Sequence, residues 1–403
     1  MVYTKKEVMQ YVSEEDVKFI RLAFCDAFGN QKNISIMPGE LKKAFESGIG
    51  IDASAIAGFG REVYSDLLLF PDPATLVVLP WRPAHGKVVR MFCSIQYPDS
   101  TAFELDSRKI LKDAVKYAFN EGYTFSFGSE LEFYLFKTDE DGNTTDIPYD
   151  DAHYMDIAPM DKGENIRREI CLTLEQMGIL PETSHHEEGP GQNEIDFRFA
   201  DPITAADNAV TFLSVVRTIA ARNGLCANFM PKPLTGKPGN SFHINISVSS
   251  LRGETDLFAY AIAGIMNRIS DMTVFLNPSE NSYARLGNNK APKFITWSPE
   301  NRSQLIRIPA ANDENKRFEL RSPDPLANPY LAYALIIHAV ICGIKNKELP
   351  PKPANINLFA LTDAEQEAFP KLPDNLKSAK ACAESSEFIN RILPELMIKN
   401  YCR

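Results

Sequence analysis

Several of the usual handles for assigning a function are missing from this sequence of 403 residues. It has neither a Walker A loop nor a G-x-G-x-x-G turn, so the phosphates of a bound nucleotide have to be held by cations and arginines, not by a glycine-rich cradle. Its seven cysteines, Cys25, Cys93, Cys171, Cys226, Cys342, Cys382 and Cys402, include no C-x-x-C pair. An odd, scattered set fits a reducing compartment and thiols that serve as small apolar residues. Basic charge is in deficit, with 43 lysines and arginines against 53 acids and a net charge of −10, which argues against a dedicated nucleic-acid binder. Long apolar runs are missing too. The longest, Leu331 to Ile344, contains His338 and falls short of the ~20 residues that cross a bilayer; it reads as a buried helix. The first residues, MVYTKKEVMQ, offer no signal-peptide core. The expectation is a cytoplasmic protein whose partners are neither nucleic acid nor membrane.

What is present is ordinary for a globular chain: 44% hydrophobic and 24% charged residues, with a length that suggests two to three domains at ~150 residues each. Residues 16 to 38 predict two strands joined by a turn at Asp26 to Asn30, then a short helix, ELKKAFES, and three more β-rich runs ending near Ser94. Tyr97 to Ser100 reads as a linker, which places one small domain at 1–100 and a larger α+β domain at 101–403. In the second, Asp106 or Ser107 opens a helix closed by Gly122. Further helices are expected from Glu164 to Met177, Pro202 to Asn223 and Leu257 to Met272, with a helical, peripheral tail.

Four strands share one design. In TFSFGSELEFYLF the period-two alternation puts Phe125, Phe127, Leu131, Phe133 and Leu135 on one face and Glu130 with Glu132 on the other. QNEIDFRF sets Gln192, Glu194, Asp196 and Arg198 against Ile195, Phe197 and Phe199, and SFHINISV leaves His243, Asn245 and Ser247 on the polar side. RFELR opposes Arg317, Glu319 and Arg321 to Phe318 and Leu320. For any one strand a solvated sheet face is the simpler explanation. Together, though, these faces hold Glu, His, Arg and Asn without Lys, a composition suited to hard cations such as Mg²⁺ or Mn²⁺. In His185-His-Glu187 neighbouring imidazoles point to opposite faces, so Glu187 is the better candidate ligand. Arg302, Arg307, Arg317 and Arg321 can grip phosphate or carboxylate in a fork.

Gly128-Ser-Glu-Leu-Glu132, His185-His-Glu187 with Gly191-Gln-Asn-Glu194, Lys232-Pro with Gly239-Asn-Ser-Phe-His243, Asn301-Arg-Ser303 and Arg317-Phe-Glu-Leu-Arg-Ser-Pro-Asp-Pro325 closely resemble the motif set of type I glutamine synthetases, over nearly the whole chain. The resemblance implies a small amino-terminal β-grasp domain and a catalytic domain with a curved antiparallel sheet flanked by helices. It also implies a homo-oligomer of hexameric rings or a dodecamer, with active sites completed by a neighbouring subunit. Carried over, Glu132, Glu187 and Glu194 would hold one Mg²⁺ or Mn²⁺ and Glu130, His243 and Glu319 a second. Arg307, Arg317, Phe199 and Ser247 would bind ATP, while Arg285, Arg302, Arg321 and the Gly239 backbone would bind the acid substrate or transferred phosphoryl group. Asp52 and Asp66 would bind and deprotonate the amine. The implied reaction is ATP-dependent amide formation through an acyl phosphate.

The sequence departs from that pattern at informative places. The loop Gly287 to Pro292 carries Lys290 where the resemblance leads one to expect a Glu that binds ammonium. Pro238 stands for an Asn that contacts the amino-acid substrate, Asn245 for a second His, and Lys377 for an adenylylatable Tyr. A Lys290 that points into the site favours an acceptor or acid with an extra carboxylate, hence another γ-glutamyl or related amide with an amine other than ammonia; one that points out leaves an ordinary glutamine synthetase as the alternative. A ring-forming, non-catalytic relative is the third reading, and a guanidino kinase is disfavoured by these motifs.

Overall fold

The computed structural model describes residues 3–60, 65–255, 257–310 and 316–403. The chain forms two compact units, 1–110 with 172–179, and 111–171 with 180–403.

The first unit opens with a helix that the hydrophobic pattern did not signal, α1 (Lys5–Glu14), started by a reciprocal capping box between Thr4 and Glu7. Strands β1 (Val17–Cys25) and β2 (Gln31–Ile36) form the expected hairpin. Its turn is held by buried Asp26, whose Oδ1 accepts from the backbone N–H of Phe28 at 3.0 Å and of Asn30 at 2.9 Å. Helix α2 (Leu41–Ser47) follows, then β3 (Ile49–Asp52), β4 (Asp66–Pro71), β5 (Val77–Val78) and β6 (Lys87–Gln96). The sheet order is β2-β1-β6-β4-β3, with β5 also on β6; β1 and β6 run parallel. Antiparallel pairing of β3 with β4 sets Asp52 directly opposite Asp66.

The rest of the chain carries the helices α3 (Ser107–Glu121), α4 (Glu164–Gln176), α5 (Pro202–Arg222), α6 (Leu257–Met266), α7 (Ile269–Leu276), α8 (Glu280–Arg285) and α9 (Pro329–Lys345), and a nine-stranded sheet. That sheet comprises β7 (Tyr123–Thr138), β8 (Thr144–Pro148), β9 (Pro181–His186), β10 (Gln192–Ala200), β11 (Leu225–Asn228), β12 (Phe242–Ser250), β13 (Trp297–Pro299), β14 (Ile306–Ile308) and β15 (Phe318–Leu320). Its main path is β13-β14-β15-β12-β7-β10-β9, antiparallel except for the β13 and β14 pair. The alternation places Phe127, Leu131, Phe133, Ile195, Phe197, Phe242, Ile244 and Ile246 in the core. Phe127 stacks on Tyr333 of α9 at 4.2 Å, and the Tyr333 hydroxyl lies 2.7 Å from Ser129 Oγ.

Behind that layer α9 packs against α6 so closely that a Cβ on Gly264 would fall 2.3 Å from the Ala339 carbonyl oxygen, and one on Gly343 2.1 Å from that of Tyr260. Only glycine permits this approach. The single helix expected from Leu257 to Met272 is broken between α6 and α7, where the Arg268 guanidinium turns to Glu348 at 2.7 and 2.9 Å. The tail, with α10 (Asp363–Gln366), α11 (Leu376–Ser385), α12 (Glu387–Ile392) and α13 (Glu395–Cys402), is helical but not peripheral. Met397 is fully buried, Tyr401 lies 4.8 Å from Phe275, and Ser386 Oγ donates to Asp271 at 2.6 Å. Lys377 stands in the first turn of α11.

Candidate active site

Strand register does most of the assembly. β7 sets Glu132 opposite Glu194 of β10, Glu130 opposite Asp196 of β10, and Glu130 opposite His243 of β12. β9 brings His185 opposite Glu194, and β15 brings Glu319 opposite Asn245 and Arg307. Directly opposed residues stand roughly 5 Å apart, and like charges at that spacing repel unless something neutralises them. Most of these side chains gather around a cavity of about 380 Å³ whose wall includes Glu130, Glu132, Glu187, Glu194, Asp196, His243, Arg302, Arg307, Arg317 and Arg321; Glu319 and Asn245 lie behind that wall.

The cavity has two electrostatically different sides. On one, Glu319 is fully buried between Arg307, whose Nη1 donates to Oε2 at 2.7 Å, and Arg321, which donates to Oε1. Glu130 accepts from Asn245 Nδ2 at 2.7 Å and lies 3.2 Å from His243 Nδ1, which is 3.4 Å from Glu319. Arg317 Nε donates to Asn245 Oδ1 at 3.2 Å. Burial and the nearby Arg321 hold the His243 imidazole well below its ordinary pKa, so it is neutral and able to ligate.

On the other side, among the described residues, no lysine or arginine pairs with Glu132, Glu194 or Asp196. Glu132 accepts from Gln192 Nε2 at 3.1 Å and the Ser241 N–H at 2.8 Å, yet burial and the neighbouring Glu187 push its carboxyl up to about 7. Burial and the Glu132 charge carry Glu194 well above the carboxylate range, and burial with Glu130 takes Asp196 to about 6. Glu187 goes the other way: burial raises it, but hydrogen bonding and charge from His185, with the Glu188 N–H, bring it below its usual value. Carboxylates held in this state fit divalent cations, which would restore their charge. Donor atoms of Glu130, His243 and Glu319 lie within 4.8 Å of one another, as do those of His185, Glu187 and Glu194, and those of Glu130, Glu194 and Asp196.

The positions expected from the sequence divide accordingly. Glu132 stands outside the group formed by Glu187 and Glu194, and His185 joins it instead. Alternation does send the two histidines apart: His186 is buried against Asp150 at 2.9 Å, whereas His185 faces the cavity. Pro238, Gly239 and Lys290 also line the wall. Arg285 does not; it is buried and donates to the carbonyls of Ser322 at 2.7 Å and Arg321 at 3.2 Å and to Ser241 Oγ at 2.8 Å. Ser247 lines a separate cavity of about 660 Å³ with Ile308 and Lys316. Alternation predicts Phe199 on the core face, whereas the resemblance gives it to the nucleotide; the structure corrects the first. A bulge between Phe197 and Ala200 breaks the alternation, so Phe199 is 37% exposed and its ring covers Gly128, where a Cβ would meet it at 2.7 Å. Asp52 and Asp66 are exposed in the first unit, and hydrogen bonds from Ser54 keep the Asp52 carboxyl below its usual range. Sequence reasoning passed over His185, Glu188 and Tyr154 as site residues. The parity of His185 with Glu187 was the available signal for the first, and Tyr154 lies in a loop without periodicity.

Residues 16–98 match the family model described as glutamine synthetase, beta-grasp domain, and residues 104–403 the one described as glutamine synthetase, catalytic domain. The chain is 43% identical to a glutamine synthetase of Clostridium saccharobutylicum, over 99% of this chain and 93% of the relative. It is 44% identical to one of Methanosarcina mazei, over 99% and 92%. A solved structure described as "GmaS/ADP complex-Conformation 1" superposes with a TM-score of 0.88 at 27% identity, covering 98% of this chain and 93% of that one. Whole-length homology and an acidic cavity built from the sheet's own register therefore place the chain in the glutamine synthetase family, as an ATP-dependent carbon–nitrogen ligase.

Proposed function

We propose that this ligase joins the γ-carboxylate of glutamate, or of a related acid, to an amine other than ammonia. The observation that carries the reading is Lys290 in the cavity wall, ion-paired with Glu188. A lysine ammonium cannot attract ammonium or accept its proton, and its charge favours an acceptor or acid that carries an extra carboxylate.

A carboxylate is a poor electrophile, so the γ-phosphoryl of ATP first passes to it, forming an acyl phosphate that an amine then displaces. Arg302 and Arg321 offset the charge that builds on the transferred group. Arg307, Arg317, Phe199 and Ser247 serve the nucleotide, and Gly239 and Arg285 shape the acid's side of the site, Arg285 from behind the wall. Two or more Mg²⁺ or Mn²⁺ ions would be held by Glu132, Glu187 and Glu194 and by Glu130, His243 and Glu319, with His185 an added donor; they would supply neutralisation of phosphate charge. The amine must be neutral to attack, and Asp52 and Asp66 of an adjacent subunit are the proposed proton acceptors. That role implies a ring-forming homo-oligomer, with residues 1–100 and 101–403 as its two domains, working in the cytoplasm.

Phosphate release from ATP, measured with glutamate and a panel of amines, tests the reading. Release stimulated by an alkylamine at lower concentration than by ammonia supports it, and ammonia as the preferred acceptor makes the protein an ordinary glutamine synthetase, the reading favoured by the names of its relatives. Nucleotide and Mn²⁺ binding without turnover on any amine would indicate a non-catalytic relative.

A further inference from the structure

We propose that Asp150 and His186 are positioning residues for the candidate cation site, a buried clasp that sets the turn between Glu187 and Glu194. This role rests on the cation assignment above and is the same whichever acid or amine the ligase takes.

Donor atoms of Asp150, Asp161 and His186 lie within 4.8 Å of one another, like those of the three candidate cation groups. All three residues are buried, and none lines the cavity. What sets this group apart is that the chain itself matches its acids. Arg167 pairs with Asp161, and His186 Nε2 lies 2.9 Å from Asp150 Oδ1. On the other side of the ring, His186 Nδ1 lies 2.6 Å from the Glu187 carbonyl oxygen. A carbonyl and a carboxylate only accept, so both ring nitrogens donate and the imidazolium is the counter-charge of Asp150. A group balanced in this way needs no ion from outside.

Its bonds converge on the turn instead. Asp150 Oδ1 also accepts from the Gly191 N–H at 2.9 Å, and Oδ2 accepts from the Lys162 N–H at 3.0 Å. One carboxylate oxygen therefore holds both limbs of the turn, the first through His186 to the Glu187 carbonyl and the second through Gly191. The His186 carbonyl accepts from the Met155 N–H at 3.0 Å, a second tie between the same two stretches of chain. Parity carries this order into the cavity. His186 stands between His185 and Glu187, and its register partner Asn193 immediately precedes Glu194. Asn193 Oδ1 accepts from Arg167 Nη1 at 2.6 Å. Successive residues on a strand face opposite sides, so holding His186 and Asn193 from behind aims His185 and Glu194 in front. Partners that orient metal ligands in this manner typically cost roughly 10–100-fold in metal affinity when removed.

Titration of the metal-free protein with Mn²⁺, followed by the electron paramagnetic resonance of the free ion, tests the clasp without acid, amine or turnover. Asp150→Asn and His186→Gln each weaken Mn²⁺ binding about thirtyfold. Arg268→Met, which cuts the ion pair with Glu348 outside the cavity, lowers the urea midpoint and leaves Mn²⁺ affinity unchanged. Coupling is reciprocal, so saturating Mn²⁺ slows hydrogen exchange at the wild-type Lys162 and Gly191 amides about fivefold. Affinity unmoved by Glu194→Gln refutes the cation assignment and the clasp with it. Affinity lowered by Glu194→Gln but within about threefold of wild type in either Asp150→Asn or His186→Gln refutes the clasp alone, because each half needs the other. A variant that does not fold hands the decision to the wild-type protein, where Lys162 exchange slowed by bound Mn²⁺ supports the clasp and unmoved exchange overturns it.

Discussion

The two sides of the cavity solve the same problem differently. Around Glu319 the protein supplies its own counter-charge, with Arg307 and Arg321 on either side of one carboxylate. Around Glu132, Glu194 and Asp196 no lysine or arginine among the described residues is ion-paired, and burial with neighbouring carboxylates pushes all three carboxyls up. The first arrangement is complete as a folding unit. The second leaves carboxylate charge for something outside the chain to balance, which is the property a cation-dependent site needs. Burial of like charges is costly, so the unbalanced side is a place where folding stability has been given up for chemistry.

The largest effect expected from this contrast is on turnover. Glu132→Ala should lower ATP-dependent phosphate release by roughly 10³-fold, the scale of several kcal/mol of lost charge stabilisation; activity within tenfold of wild type would remove Glu132 from the catalytic set. The stability consequences should have opposite signs on the two sides. Glu319→Gln removes the carboxylate that both Arg307 and Arg321 pair with and should destabilise the metal-free protein by about 3 kcal/mol in urea unfolding. Glu194→Gln removes a repelled carboxylate and should stabilise the metal-free protein by about 1 kcal/mol while impairing turnover. Equal destabilisation by the two would erase the distinction.

A pH series sharpens it further. The Glu132 carboxyl is raised in the folded state to about 7, so between its unfolded value near 4.5 and pH 7 the folded protein binds more protons than the unfolded one. The Glu132 contribution to metal-free stability is therefore fully present below pH 4.5 and is lost as pH rises through 7, by on the order of 3 kcal/mol. Saturating Mn²⁺ should flatten that slope, and a metal-free slope of the opposite sign would mean that the charges are compensated in some other way. The smallest effect belongs to Asn245→Ala, which cuts the links to Glu130 and Arg317 and should cost about 1 kcal/mol by chemical denaturation.

Much of this was written in the period of the strands. Alternation alone put Glu130, Glu132, Glu194, Asp196, His243 and Glu319 on polar faces, because a sheet with one buried side leaves its other side no choice. Register was harder to read: nothing in the local sequence says that His185 lies opposite Glu194, so His185 was passed over in favour of Glu187. Phe199 defeated the alternation because a bulge changes parity without a glycine or proline to announce it. Helix α1 was missed since its amphipathic face is thin, with Val8 and Val12 as its buried residues. The break between α6 and α7 depends on Glu348, some eighty residues away in sequence, and local periodicity carries no trace of such a partner. The motif resemblance supplied the roles, and register supplied the distances at which some of those roles can be examined.

The bulge in β10 makes that strand a ruler. Asp196 and Phe199 sit three residues apart on one continuous backbone, and at ~3.3 Å of rise per residue their backbones can stand at most about 10 Å apart. Covalent geometry maintains this spacing even when side chains change conformation. Any elongated guest with a cation-bearing end and a flat end therefore meets a gauge whose length was set by counting residues, and inserting or deleting one would misalign the two ends together with the face on which the ring is presented.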